Sequence, residues 1–187
     1  MPLNDKNDYR VHVINDKKLK IFTPKDFVFP FAEQKNFTAR FNEVKFLNPK
    51  DKNFKEAFTT GDLNEFRRMA IGFPSTADMN PKYLESKENY IDVTYVAMRN
   101  SFPSRSFNVT KERNSVFFMI CSDNNICADD SKKSSVIFLA STLVHKVPAL
   151  IMGEISSKEG RGPLKKESIS EFKEEIMTYI DFLDQNQ

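Results

Sequence analysis

The sequence contains two cysteines, Cys121 and Cys127, with a polar segment between them. Such a pair can act as a redox couple, contribute to a metal site or form a disulfide across a turn. Redox couples are usually spaced C-x-x-C at a helix start, where the helix dipole lowers the thiol pKa, so the wider spacing argues against redox catalysis. A zinc site needs further ligands, and the two histidines of the chain, His12 and His145, are far apart in sequence. We therefore expect a disulfide and no bound metal.

The disulfide bears on the compartment in which the protein works. If the residues around the turn pair as a hairpin, facing Cα atoms lie about 4.5–5.5 Å apart, which a disulfide can span. Because persistent disulfides form in oxidising compartments, the pair predicts a periplasmic or extracellular protein, with a cytoplasmic protein carrying two reduced thiols as the alternative. The first residues are polar and contain no apolar stretch long enough for a secretory signal or a spanning helix, so the sequence is either that of a cytosolic protein or that of a mature form whose export signal has been removed. We expect no membrane insertion.

Hydroxyl side chains precede His145 in the segment 141–146. A Ser141/His145 or Thr142/His145 pair would have the residue types of a nucleophile and its base. However, the chain lacks the G-x-S-x-G pattern of a nucleophile elbow, and its five glycines form no Gly-rich loop for a nucleotide phosphate. The sequence thus favours a protein without catalytic residues or a cofactor. The alternative is a small hydrolase or transferase with a site assembled around His145 and an arginine cluster.

A second cluster of side chains that could bind a ligand or a partner lies in "RNSFPSRSFNVTKER", residues 99–113. It combines aromatic side chains with arginines, whose planar guanidinium groups bind carboxylates and phosphates. Exposed aromatic and arginine side chains are the typical composition of protein-binding hot spots. In the alternative interpretation, this segment is a loop whose phenylalanines pack into the core. The core interpretation is favoured, and the residues of the candidate binding patch are Arg99, Phe102, Arg105, Phe107 and Arg113.

Composition limits the classes of partner. The 28 basic and 26 acidic side chains nearly cancel, so no strong electrostatic field favours nucleic acid. With 187 residues, 40% of them hydrophobic and 29% charged, the chain is long enough for a single globular domain, residues 1–187, with its own core. We expect an exported, non-enzymatic domain that binds another protein, as an inhibitor, an immunity-type protein or an accessory protein of an envelope assembly.

Patterns in the first half of the chain predict elements that would position these residues. Residues 9–22 alternate between apolar and polar on both sides of a turn and predict a hairpin, and residues 37–46 predict a third strand. In "GDLNEFRRMAIGFP", Asp62 and Glu65 form a capping pattern before apolar residues at helical spacing. This segment predicts a short middle helix that ends at Gly72.

The second half is richer in strand patterns. Four segments alternate or are continuously apolar, and their succession implies an antiparallel sheet: 90–98, 114–121, 134–142 and 147–156. The last segment has apolar residues at helical spacing after a capping box from Ser168 to Glu171. These elements predict an α+β fold, with a mainly antiparallel sheet of about six to seven strands covered by the middle helix and an amphipathic C-terminal helix. Their order resembles the architecture of PsbP-like domains, which are small non-enzymatic modules.

Overall fold

The computed structural model describes residues 9–14, 19–24, 65–74, 76–121, 127, 133–157 and 162–187. The strands in these ranges are β1 Tyr9–Ile14, β2 Leu19–Pro24, β3 Glu65–Gly72, β4 Val109–Lys111, β5 Val116–Cys121, β6 Ser135–Val144 and β7 Val147–Ser157. The helices are α1 Lys87–Ser101 and α2 Lys166–Gln185, with short 3-10 segments at Pro81–Leu84 and Pro103–Asn108.

Strands β3 to β7 form one antiparallel sheet, in the order β3-β7-β6-β5-β4. β1 and β2 pair with each other in a separate antiparallel sheet, which confirms the strand pairing predicted at residues 9–22. The predicted α+β class and antiparallel sheet are therefore confirmed, but the described sheet has five strands rather than six to seven. The strand predicted at residues 37–46 lies outside the described residues.

The sheet separates two apolar layers, because neighbouring residues of a strand point to opposite faces. Phe117 packs in the layer under α2, whereas Phe118 packs in the layer under α1. Leu19 of β2 joins the α2 layer, and the backbone of Lys20 exchanges hydrogen bonds of 2.8 and 2.9 Å with the side chain of Gln187. The β1-β2 pair therefore packs on the α2 side, and α1 covers the opposite face.

The prediction of a middle helix that ends at Gly72 is wrong for the described residues of that segment, because they form the edge strand β3. β3 pairs with β7 along its whole length. The side chains of Met69 and Ile71 are buried in the α2 layer, at the two-residue spacing of a strand. Arg67 occupies the preceding position of that row. Because this side chain is charged, hydrophobic periodicity alone does not detect the alternation of the strand.

The strand predicted at residues 90–98 is also wrong, because this segment lies in α1. Ser86 is the N-cap of the helix, and its hydroxyl accepts a hydrogen bond of 3.1 Å from the backbone N–H of Asn89. Tyr90 and Ile91 are the buried residues of α1. The helix that precedes strands β4 to β7 is therefore α1, which lies later in the chain than the predicted middle helix.

The C-terminal helix is present as α2, although it begins at Lys166 rather than at the predicted capping box. Its N-cap makes no side-chain capping hydrogen bond, and Ser168 is buried within the helix. Gly153 of β7 permits a close approach of α2 to the sheet, because a Cβ at this position would lie 2.5 Å from Cδ1 of Ile176. Fully buried side chains of α2 form one row: Phe172, Ile176, Tyr179, Ile180 and Leu183.

Candidate functional site

A pocket lies between α1, the sheet and the segment 74–83. We call it the α1 pocket; its volume is about 460 Å³. The sheet contributes Phe118, Leu139, Ser141 and Leu150 to its lining. The residues that α1 contributes recur at three- and four-residue spacing and therefore lie on one side of the helix: Tyr90, Val93, Thr94, Ala97, Met98 and Ser101.

Two buried hydroxyl groups line the α1 pocket. The side chains belong to Tyr90 of α1 and Ser141 of β6, and the two hydroxyl oxygens lie 3.0 Å apart. Burial raises the pKa of Tyr90 above the ordinary tyrosine value, while hydrogen bonds with Ser141 and Thr94 oppose the shift. The phenol therefore stays protonated at neutral pH, and the pair can donate a hydrogen bond to a bound molecule or accept one from it.

Most of the other side chains that line the α1 pocket are apolar, among them Met79, Met98 and Phe102. The lining contributed by the described residues includes one carboxylate, that of Asp78, and no histidine, lysine, arginine or cysteine. Acid–base or nucleophilic catalysis needs a base beside the reacting group, and the hydrogen-bond partner of Ser141 is the Tyr90 hydroxyl rather than a histidine or a carboxylate. The pocket is therefore suited to binding an apolar group.

The residues of the predicted patch on the α1 side are Arg99, Phe102, Arg105 and Phe107, which we call the Phe/Arg patch. Arg99 is exposed and lies against Tyr95, with its guanidinium carbon 5.4 Å from the ring centroid and Nη1 3.1 Å from the hydroxyl oxygen. Phe102 is the C-cap of α1 and stacks on Phe118, with ring centroids 4.9 Å apart. Ring contacts thus hold both side chains at the end of α1.

The 3-10 segment after α1 carries the other two residues of the Phe/Arg patch. Arg105 is partly exposed, and its backbone N–H donates a hydrogen bond of 2.9 Å to the carbonyl oxygen of Phe102. The side chains of Phe102 and Phe107 are 43% and 61% exposed. Both phenylalanines therefore lie at the surface, and neither is withdrawn into the core.

Arg113 has different surroundings from the rest of the predicted patch. It follows β4, and its guanidinium contacts two carboxylates of α2, those of Glu174 and Asp181, at 3.0 Å each. Because α2 covers the face of the sheet opposite α1, these contacts direct Arg113 away from the end of α1. The structure therefore brings Arg113 to α2 and not to Arg99.

The side chains considered as nucleophile and base have separate hydrogen-bond partners. Ser141 faces Tyr90 on the α1 side, whereas Thr142 donates a hydrogen bond of 2.5 Å to the carbonyl oxygen of Asn114. His145 lies in the turn between β6 and β7 with a positive φ of 45°, and its Nε2 lies 3.0 Å from the backbone carbonyl oxygen of Asp184. Across the described residues, neither hydroxyl is hydrogen-bonded to the imidazole.

Cys121 and Cys127 lie at disulfide distance, with sulfur atoms 2.23 Å apart and Cα atoms 5.4 Å apart. Both side chains are buried. Cys121 ends β5, as the sequence pattern predicts, so the predicted pairing of the cysteines is confirmed in its geometry.

No group of three or more His, Cys, Asp or Glu side chains in the described ranges is arranged to hold a metal ion. None of the helices described combines the length and the apolar character needed to cross a membrane.

Sequence patterns did not reveal the α1 pocket, because its walls come from segments that are far apart in the chain. One signal was available: Ser86 as an N-cap would have placed Tyr90, Thr94 and Met98 on one side of a helix. Comparisons of the chain with protein-family models, curated proteins and solved structures find no match, and none supports the resemblance to PsbP-like domains.

Proposed function

We propose that this protein is a non-enzymatic domain that binds another protein through the Phe/Arg patch. The observation that carries the proposal is that two arginines of the patch have no carboxylate partner among the described residues. Within the described part of the chain, neither Arg99 nor Arg105 lies within salt-bridge distance of a carboxylate. Two basic residues outside the patch do have carboxylate partners: Arg113 contacts Glu174 and Asp181, and Lys111 contacts Asp92. The two patch guanidinium groups are therefore available to a carboxylate from outside the chain.

The exposed rings define the rest of the partner's chemistry. Phe102 and Phe107 together with arginines give the composition that dominates binding energy at protein interfaces. A partner segment with an apolar side chain next to an Asp or Glu would cover the rings and supply carboxylates to the arginines. An inhibitor, an immunity-type protein or an accessory protein of an envelope assembly would each work through one such surface.

Selection from a random peptide library displayed on phage, with the folded protein as bait, tests the proposal. We expect the selected peptides to combine aromatic or branched aliphatic residues with Asp or Glu. Replacing both arginines, Arg99→Glu with Arg105→Glu, is expected to weaken binding of a selected peptide by about tenfold or more, since like charges then face each other. Phe107→Ala is expected to weaken binding of the same peptide, and because Phe107 is 61% exposed, the substitution is expected to leave the fold unchanged.

Lys166→Glu is the matched control for the charge reversals. Lys166 is exposed, and it lies at the start of α2, on the opposite side of the sheet from α1. This variant is expected to bind the selected peptide as the unmodified protein does. Selected peptides without acidic residues, or an equal loss of binding in Lys166→Glu, would count against the Phe/Arg patch as the binding surface.

We also propose that the protein works in the periplasm or outside the cell. The geometry of Cys121 and Cys127 supports this location, because persistent disulfides belong to oxidising compartments. Intact-mass measurement after alkylation without reductant, on protein isolated from its native host, is expected to show no alkylated thiol. Two alkylated cysteines would instead favour a cytoplasmic protein.

The small hydrolase or transferase has less support. Ser141 and His145 hydrogen-bond to separate partners, and the partner of Ser141 is the Tyr90 hydroxyl rather than a histidine or a carboxylate. If the purified protein shows hydrolytic activity, a His145→Ala variant tests this alternative. Activity that is retained in the variant would show that His145 is not required and would contradict the alternative.

A further inference from the structure

The α1 pocket is separate from the proposed protein-binding function, although Phe102 lines it as well as belonging to the Phe/Arg patch. Its volume of about 460 Å³ lies within the range of small-molecule sites in proteins. Such sites are typically apolar, with a few polar groups that orient the ligand. The α1 pocket has this composition, and the paired hydroxyl groups of Tyr90 and Ser141 are its buried polar element.

The charges around the pocket limit the ligand further. A bound anion needs a cation or several N–H donors, and none of the described side chains that line the pocket is cationic. The carboxylate of Asp78 is exposed to solvent, which weakens its interaction with a charged ligand of either sign. The lining therefore favours a neutral molecule.

The hydroxyl pair determines where the polar group of the ligand would lie. Tyr90 hydrogen-bonds to Ser141 at 3.0 Å and also to Thr94, and these three hydroxyl groups together still have a further donor and further acceptor positions. One hydroxyl or carbonyl group on the ligand can use them, while the rest of the molecule contacts apolar side chains such as Met98, Leu139 and Leu150. We propose that the α1 pocket binds a neutral, mostly apolar small molecule that carries one hydroxyl or carbonyl group.

Displacement of a neutral fluorescent dye, N-phenyl-1-naphthylamine, tests this proposal. The dye is expected to bind the protein with increased emission, and 1-decanol is expected to displace it. Decanoate at pH 8 has a similar chain but carries a negative charge, so it is expected to displace the dye at least about tenfold less well. Displacement by decanoate at the same concentration as 1-decanol would overturn the proposal of a neutral ligand.

Two tryptophan substitutions on α1 locate the dye. Ala97 lines the pocket and is exposed, so Ala97→Trp is expected to fill the pocket and to weaken dye binding by about tenfold or more. Val96 directly precedes Ala97, is 56% exposed and is not part of the lining. Val96→Trp is therefore expected to bind the dye with an affinity within about twofold of that of the unmodified protein. If Ala97→Trp does not fold, Val93→Trp, at a second exposed position of the lining, replaces it.

Tyr90→Phe tests the hydroxyl pair. The ring stays in place, so the affinity for 1-decanol, calculated with the dye affinity measured for the variant, is expected to weaken by about three- to tenfold through loss of a hydrogen bond. Absence of dye binding to the unmodified protein would overturn the proposal. Equal dye binding by Ala97→Trp, or an unchanged affinity of Tyr90→Phe for 1-decanol, would do so as well. None of these results depends on whether the Phe/Arg patch binds a protein.

Discussion

At the scale of single residues, the hydroxyl group of Tyr90 links α1 to the sheet. It is buried and forms a hydrogen bond of 3.0 Å with Ser141 of β6. A buried polar group that loses its partner costs more than the average value of a hydrogen bond, because it cannot regain water in the folded state. The pair should therefore contribute to stability as well as to the chemistry of the α1 pocket.

Tyr90→Phe is expected to lower the free energy of unfolding by about 1–2 kcal/mol, because the hydroxyl of Ser141 loses its partner. Urea denaturation followed by circular dichroism measures this change. Tyr83→Phe is the matched control, since Tyr83 is 39% exposed and its hydroxyl can bond to water; we expect less than about 0.5 kcal/mol. Equal effects of the two substitutions would show that the Tyr90 hydrogen bond contributes nothing specific.

The pH dependence of stability gives a second test of Tyr90. Burial raises its pKa in the folded protein, so the unfolded chain loses this proton first. The stabilising contribution of the protonated phenol is complete below about pH 10, the ordinary tyrosine pKa, and is lost as pH rises through the higher folded value. The difference in unfolding free energy between the unmodified protein and Tyr90→Phe should therefore decrease as the pH rises above about 10. A difference that stays constant over this rise in pH would contradict a buried, protonated Tyr90.

At the scale of elements, β5, β6 and β7 were predictable because their apolar runs are long enough for strands buried on both faces. The predictions for β3 and α1 were wrong in opposite directions: a helix was predicted where β3 lies, and a strand was predicted where α1 lies. In β3, Arg67 lies in the same row as the buried Met69 and Ile71, and its contact with Glu175 on α2 lets a charged side chain occupy that position. No local pattern could predict a contact between residues so far apart.

The error at α1 has another physical reason. Alternation of Ile91, Val93, Tyr95 and Ala97 is typical of a strand, but the side chains of Val93 and Ala97 are exposed beside the α1 pocket. Apolar residues at a binding surface add to the pattern of those in the core. Periodicity cannot separate the two groups, whereas the N-cap at Ser86 favours the helix.

Ser86→Ala tests the start of α1. The side chain of Ser86 accepts a hydrogen bond from the backbone of Asn89, and loss of an N-cap costs about 1 kcal/mol. Ser104→Ala, at an exposed position after the helix, is the control and is expected to change stability by less than about 0.5 kcal/mol. Chemical denaturation of both variants measures the difference. A neutral Ser86→Ala would argue against a helix that begins at this residue.

Gly153→Ala tests the packing of α2 on β7. The added Cβ would lie 2.5 Å from Cδ1 of Ile176, so we expect a loss of about 1–3 kcal/mol in unfolding free energy. Ile176→Val removes that Cδ1 atom. The double variant is therefore expected to lose less than the sum of the two single losses. Additive losses, measured by urea denaturation, would mean that Gly153 and Ile176 do not constrain each other.

At the scale of the whole molecule, the sheet divides the residues that the sequence had grouped. Arg113 is close in sequence to Phe107 but pairs with α2, while Arg99 and Phe102 lie on the α1 side. Nearness in sequence thus does not keep Arg113 on the same side of the sheet as Arg99 and Phe102, and a binding role for the Phe/Arg patch stays a prediction. The α1 pocket was not predictable in this way, because α1 and three strands contribute to it.

The measurement that tests the central claim most directly is a charge-swap cycle by calorimetry between Arg99 and the acidic residue of a selected peptide. We predict that Arg99→Glu weakens binding of the acidic peptide by about tenfold, because two like charges then meet at the interface. A peptide with Lys in place of that acid should bind Arg99→Glu more tightly than it binds the unmodified protein. Independent effects of the two substitutions, with no recovery in the swapped pair, would contradict binding of an acidic partner at the Phe/Arg patch.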